Sequence, residues 1–408
     1  MNNRRRLAMG GVSVLVALLA AACSDANRVV DEIGGPAEAG TPAGTPTGTP
    51  TGAPTSPVAA EPSGDATEQP GPRTASVVMG GDLLWHNTVW HSAAEDHRRT
   101  GRGTSYDWDP MFAAVKPLIA SADLAICHSE VPFAAPGAEP ESYPVFAAPR
   151  SIAPWIASMG WDACTTASNH SWDQGFDGVA TTARLLQANG IPAIGTFRSE
   201  AEREQPVILT TADGVQVGVV AATYGLNGFV TPEDQWWAVS QLTETRDDLL
   251  DQAARARAAG ADIVVAHVHW GTEYDHLPNA DQVALADALT ESPNVDLVLG
   301  EHAHVVQPIT KVNGKWVVYG FGNMVAQNEV ERPDAYEGIA IDFELTEQPD
   351  GGWLVSRAAY VPTQWNHYAP GNPIRIVDAA GAHLASVRSA VNGVGRNRGL
   401  VEDRLTQS

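Results

Sequence analysis

From Arg73 onward, short runs of β-branched and aliphatic residues alternate with stretches whose apolar positions recur every three or four residues, the pattern of an α/β chain. The runs predict strands over Ser76–Met79, Asp123–Cys127, Ala163–Ala167, Val217–Thr223, Ile263–His267 and Leu297–Leu299. Phe176, Val179, Ala183 and Leu186 fall on one face of a predicted helix that ends at Gly190, and Leu242–Ala259 predicts another, stopped by Gly260. Asp213-Gly214 joins Val207–Leu209 to Val215–Val219 as a hairpin and Asn313-Gly314 makes a second turn, so the sheet structure must be mixed. There is no internal repeat and no second linker, which predicts one domain over residues 74–338 whose last strands lie in 339–393. Residues 394–408 read as a flexible tail.

The pattern is different before Arg73. Arg4, Arg5 and Arg6 precede an apolar run from Val12 to Leu19, then Ala20, Ala21, Ala22 and Cys23, which is the order of parts in a secretory signal over residues 1–22. That run is shorter than the roughly 20 residues a permanent transmembrane helix needs, so cleavage is expected. A cysteine directly after small residues resembles a bacterial lipobox, which makes Cys23 the expected lipidation site and the membrane an expected partner through an N-terminal lipid; plain secretion is the alternative. The adjacent arginines also fit a twin-arginine signal. Residues 34–73 are rich in Gly, Pro, Thr and Ala and hold few large apolar side chains, so 23–73 is expected to be a disordered tether. The expected address is the outside of a bacterial cell.

Composition narrows the partners. The 408 residues are 44% hydrophobic, ample for a core, and carry a formal charge of −23 that loss of the arginine-bearing leader would deepen. Such a surface repels nucleic acid and anionic lipid, so an anionic substrate would need cations to hold it. Besides Cys23 there are only Cys127 and Cys164, too few for a disulfide scaffold; they lie on strands expected to be parallel neighbours, and the reading here is that both are free and buried.

Metal-ligand residue types gather where the predicted strands end. Asp82 follows the first strand, His128 and Glu130 the second, and Asn169 and His170 the third; later strands present His267 and His269, then His302 and His304. In an open α/β sheet the carboxyl ends of parallel strands form the ligand crevice, so these distant residues are expected to converge. Carboxylate, carboxamide and imidazole donors suit Mn, Fe, Zn or Mg, and there is no thiolate set for a structural zinc.

The order and spacing of these motifs resemble the CapA (poly-gamma-glutamate capsule) branch of the calcineurin-like metallophosphoesterases. They stand here as Gly81-Asp82, a Cys-His-Ser-Glu run ending at Glu130, SNHSWDQG with Asn169, His170, Asp173 and Gly175, HWGTEY from His269, GEHAHVVQ with His302 and His304, and GFGNM with Asn323. The resemblance implies an α/β/β/α sandwich with mixed central sheets and two divalent ions. It implies Asp82 and His304 as ligands of one ion, Asn169, His269 and His302 as ligands of the other, and Glu130 as the bridging acid. His170 is implied as the catalytic proton donor, with Asp173 orienting it or holding its loop by backbone bonds. Leu84 stands where the family has a first-motif histidine, His86 is a loop imidazole expected to be solvated, His128 is a candidate extra ligand, and His267 is a candidate supporting or substrate-binding group.

Two functions follow from these expectations. One is a cell-surface metal-dependent hydrolase, phosphoesterase-like, acting on an anionic envelope polymer or a phosphoester precursor. The other is a non-catalytic accessory protein that uses the same cations to hold or guide a polymer such as poly-gamma-glutamate beside its synthesis machinery.

Overall fold

Chain order lays the sheets down in three stretches. The computed structural model describes residues 71–405 apart from 243–246, 329 and 396; the expected leader, Cys23 and nearly all of the tether lie outside the described residues. The first stretch gives β1 (Thr74–Gly80), β2 (Asp82–Leu83), β3 (Leu124–His128), β4 (Ala163–Thr165) and β5 (Ala193–Ile194). The second gives β6 (Val207–Thr210), β7 (Gln216–Thr223), β8 (Ile263–His269), β9 (Leu297–Glu301), β10 (Ile309–Val312) and β11 (Lys315–Val318). The third gives β12 (Asn323–Val325), β13 (Glu337–Glu347), β14 (Trp353–Trp365), β15 (Ile376–Asp378) and β16 (Leu400–Glu402).

One sheet runs β15-β14-β13-β1-β3-β4-β5 with β16 beside β14, and the other runs β10-β11-β9-β8-β7-β6. Parallel pairs fill the middle of each, from β1 through β5 and from β7 through β9 to β11, while β13, β6 and β10 join antiparallel. The mixed sheets are thus as expected, and both Gly-containing turns close hairpins, β6–β7 and β10–β11. Asn313 and Gly314 both take positive φ, as a tight two-residue hairpin turn requires.

Side-chain alternation makes four layers. Val77, Met79, Leu124 and Ile126 of one sheet share a core with Val217, Val219, Ile263, Val265, Leu297 and Leu299 of the other, so the sheets pack face to face. The opposite face of the first sheet, through Ala125, Cys127 and Cys164, packs on helices Asn87–Thr100 and Ile152–Met159. On the far side Val264, Ala266, Val268 and Val298 pack on helices Asp247–Ala258 and Ala280–Glu291. Arg73 pins the start of β1 by reaching both Glu347 and Asp262 at 2.9–3.1 Å. No described helix is long and apolar enough to cross a membrane.

Three expectations are corrected. The segment after 394 is not a loose tail over its described part: β16 pairs in parallel with β14, Glu402 binds Arg388 and Tyr360, and Leu405 is buried. The second helix runs Asp247–Ala258 rather than from Leu242, whose N–H is taken by Thr223 O at 2.7 Å. Most consequentially, Cys127 and Cys164 are not free but form a disulfide. Parallel strands seldom place cysteines directly opposite, yet the β3–β4 register does, with Cα atoms 4.5 Å apart, inside the range a bridge needs.

The unfolded, unreduced protein carrying a serine at position 23 should therefore titrate no free thiol; two thiols would show the pair reduced. Replacing both Cys127 and Cys164 with Ser should cost about 4 kcal/mol in denaturant unfolding, the loop-closure value for a 37-residue separation.

Candidate metal centre

The site forms where the strands of both sheets end. Asp82 follows β1, His128 ends β3 with Glu130 just beyond, Asn169 and His170 follow β4, His269 ends β8, and His302 and His304 follow β9. Two glycines let the first of these loops close. Gly81 lies so near the backbone of Gly322 that a Cβ there would meet its carbonyl oxygen at 2.1 Å, and this approach pairs Asp82 of β2 with Asn323 of β12. Asn323 in turn fixes His304, its Oδ1 lying 2.9 Å from Nδ1 and its amide donating to His304 O.

The donor atoms converge. Asp82, His128 and His269 bring ligand atoms within 4.8 Å of one another, as do Asp82, Glu130 and His304, and as do Glu273, His302 and His304. Shared members join the three groups into one cluster. Asn169 Oδ1 sits 2.9 Å from His269 Nε2, and His128 Nε2 sits 3.1 Å from His269 Nδ1. Glu130 Oε1 lies 3.8 Å from His304 Nε2 and 3.9 Å from His269 Nε2, between the two expected ligand sets.

The cluster is short of donors and of positive charge. Both oxygens of Glu130, Oδ1 of Asp82 and Nδ1 of His302 are buried with no hydrogen-bond partner among the described residues. Burial, then the nearby Asp82, pushes the Glu130 carboxyl well above its usual range. Burial lowers His128 to about 4 and His302 to about 3, and holds His269 and His267 well below 6.5, so these imidazoles are neutral with lone pairs to offer. Burial would lower His304 too, but Glu130 and Asp82 outweigh it and push it up to about 10. A proton on His304 thus supplies the cation that the carboxylates demand. Orphaned oxygens beside neutral imidazoles and one asparagine oxygen fit divalent cations.

Backbone strain gathers here as well. His302 and His304 take φ of 100° and 56°, and Tyr274 and Asn227, which border the cluster, take 64° and 49°. Each such residue costs on the order of 1–3 kcal/mol and is characteristic of functional sites. Asn227 Oδ1 accepts from Asn169 Nδ2 at 3.1 Å, and the Tyr224 ring stands 4.5 Å from His302.

His170 stands at the rim. Its Nδ1 is 2.8 Å from Asp173 Oδ2, the oxygen that also accepts the Phe146 N–H at 2.8 Å, so Asp173 both orients the imidazole and holds the loop. The Phe146 ring lies edge-on to His170 at 4.7 Å, which places the Tyr143–Phe146 segment over the site. His86 is not solvated as expected. It is buried against Phe146, its Nδ1 accepts from Gln327 N, and it joins none of the three groups. His128 does join one, with Nδ1 held 2.9 Å from Thr165 Oγ1. His267 lies under it, ring centroids 4.6 Å apart and both nitrogens without hydrogen-bond partners among the described residues. Leu84 is buried apolar core.

Sequence reasoning gave no role to Glu301, Asn227, Tyr224 or Thr165. Only Glu301 left a signal, as an acid two residues beyond Leu299 in a buried strand's alternation.

A family model described as bacterial capsule synthesis protein PGA_cap matches residues 76–328. Among curated relatives, the PGA biosynthesis protein CapA of Bacillus subtilis (strain 168) is 28% identical over 171 residues, 42% of this chain and 44% of that protein. The capsule biosynthesis protein CapA of Bacillus anthracis is 27% identical over 174 residues, 42% of this chain and 41% of that protein. The matches thus span less than half of these relatives' length. The crystal structure of the calcineurin-like phosphoesterase YfkN from Bacillus subtilis aligns over 72% of this chain and 91% of that one, at 16% identity and a TM-score of 0.44.

If His304 gives up its proton to bind a cation, loading at neutral pH must release protons. Its folded value of about 10 lies above 7, so the apparent affinity should fall about tenfold per pH unit below 10 for each proton displaced. Calorimetric titration with Mn in buffers of different ionisation enthalpy should show on the order of one proton released. Binding without proton release would remove His304 from the ligands.

Proposed function

This chain belongs to the bacterial capsule synthesis protein family PGA_cap, and from that premise we propose that it is a metal-dependent hydrolase, phosphoesterase-like, acting outside the cell on an anionic envelope polymer or its precursor. The observation that carries catalysis is the His170–Asp173 pair, 2.8 Å apart and next in sequence to Asn169. A site that only held a polymer would have no use for an oriented proton donor.

In this reading Asp82 and His304 would hold one divalent cation and Asn169, His269 and His302 the other, with Glu130 lying between the two ligand sets and His128 at hand for the first. Cations there would supply Lewis acidity and neutralise an anionic substrate in a chain whose own formal charge is −23. Asp173 accepts from Nδ1 of His170, which fixes the orientation of the ring. His170 Nε2 then carries the proton given to the leaving oxygen, after which the ring is neutral and must be reprotonated from solvent. Phe146 screens the same ring from water on one side. The reading extends to an exported chain lipidated at Cys23, working beside the machinery that makes the polymer.

The test is turnover of a chromogenic phosphodiester and a phosphomonoester by the full chain with added Mn, alongside metal analysis. His170→Ala should lose 10²–10⁴-fold in turnover while retaining bound metal. Asp173→Asn should lose less, with bound metal retained. Bound metal with no turnover of any phosphoester or gamma-glutamyl substrate by the parent would instead favour the accessory role.

A further inference from the structure

Strand β9 sends Leu297 and Leu299 into the core between the sheets, and by the same alternation its last residue, Glu301, faces that way too. Glu301 is 1% exposed, and neither of its carboxylate oxygens meets a donor among the described residues. Burial, and then the nearby carboxylates of Asp82 and Glu130, push its own carboxyl well up. Across the sheet it pairs in register with His269, whose ring is part of the metal-ready cluster.

Burying an unpaired carboxylate costs several kcal/mol, and placing it beside two more adds repulsion. A leucine at this position would continue the strand's apolar face without either cost. A proton or a cation removes both, because no basic side chain donates to Glu301 among the described residues, and only a cation leaves the group as a charged donor.

We infer that Glu301 is a third carboxylate of the metal centre, acting on the cation that Asp82 holds. The inference rests on the metal reading above. With Asp82 and Glu130 it would bring three negative charges against two divalent ions, leaving the loaded centre close to neutral in its buried setting. Asp82 shares a ligand group with His269, the in-register partner of Glu301, so removing the charge at 301 weakens the ion on the Asp82 side.

The full chain is stripped of metal and titrated with Mn, and its melting temperature is recorded with and without the ion. Glu301→Gln keeps the shape and drops the charge; Glu301→Leu continues the alternation of β9. Both variants should bind at least one Mn ion 10–100-fold more weakly than the parent. Both should melt no lower than the parent without metal, and both should show a smaller rise on adding it. Unchanged Mn affinity would overturn the inference, as would metal-free melting several degrees below the parent or failure of both variants to fold, since each marks a structural role. A parent that binds no Mn would sink the metal reading itself, whereas parent binding matched by both variants sinks this inference alone.

Discussion

Negative charge buried between two sheets is the constraint on which this structure turns. Asp82, Glu130 and Glu301 are at most 1% exposed, and most of their oxygens have no donor. A buried carboxylate must find a proton, a basic side chain or a cation. Burial pushes the Glu130 and Glu301 carboxyls up toward their protonated forms, His304 is raised by its carboxylate neighbours, and the other imidazoles are kept neutral by burial. Such an interior is poor at stabilising itself and well suited to receiving cations.

The architecture explains how one chain can tolerate this. The core behind the site is apolar on every strand that leads into it, from Val77 and Met79 to Val265, Leu297 and Leu299. Polar residues begin only where those strands end, so the unfavourable charge is confined to one rim of the sandwich. Glycine at 81 and 322 lets two rim loops touch, and the Cys127–Cys164 bridge ties β3 to β4 one residue before His128 and Thr165.

Much of this was legible in the sequence because strand ends and ligand types coincide there. Each strand predicted from β-branched runs is present, and β8 continues two residues past His267 to place His269 at its end. What escaped notice depends on register and on backbone shape. The cysteine pair follows from Cys127 facing Cys164 across two parallel strands, which no spacing announces. Thr165 and Asn227 act through contacts made across 37 and 58 residues of chain. Glu301 was visible as an acid in an apolar alternation, but motif reading passes over it because its neighbours His302 and His304 absorb attention.

The turn after β9 uses its residues with unusual economy. Glu301 ends the strand facing inward, and His302 and His304 then take left-handed backbone conformations that bring both imidazoles to the same cluster. Three of four successive side chains therefore serve one centre, one from extended and two from left-handed backbone. Such a segment has no slack: an inserted or deleted residue would hand each conformation to the wrong side chain at once. The rim loops around it can lengthen or shorten over evolutionary time, while this turn can change only by substitution.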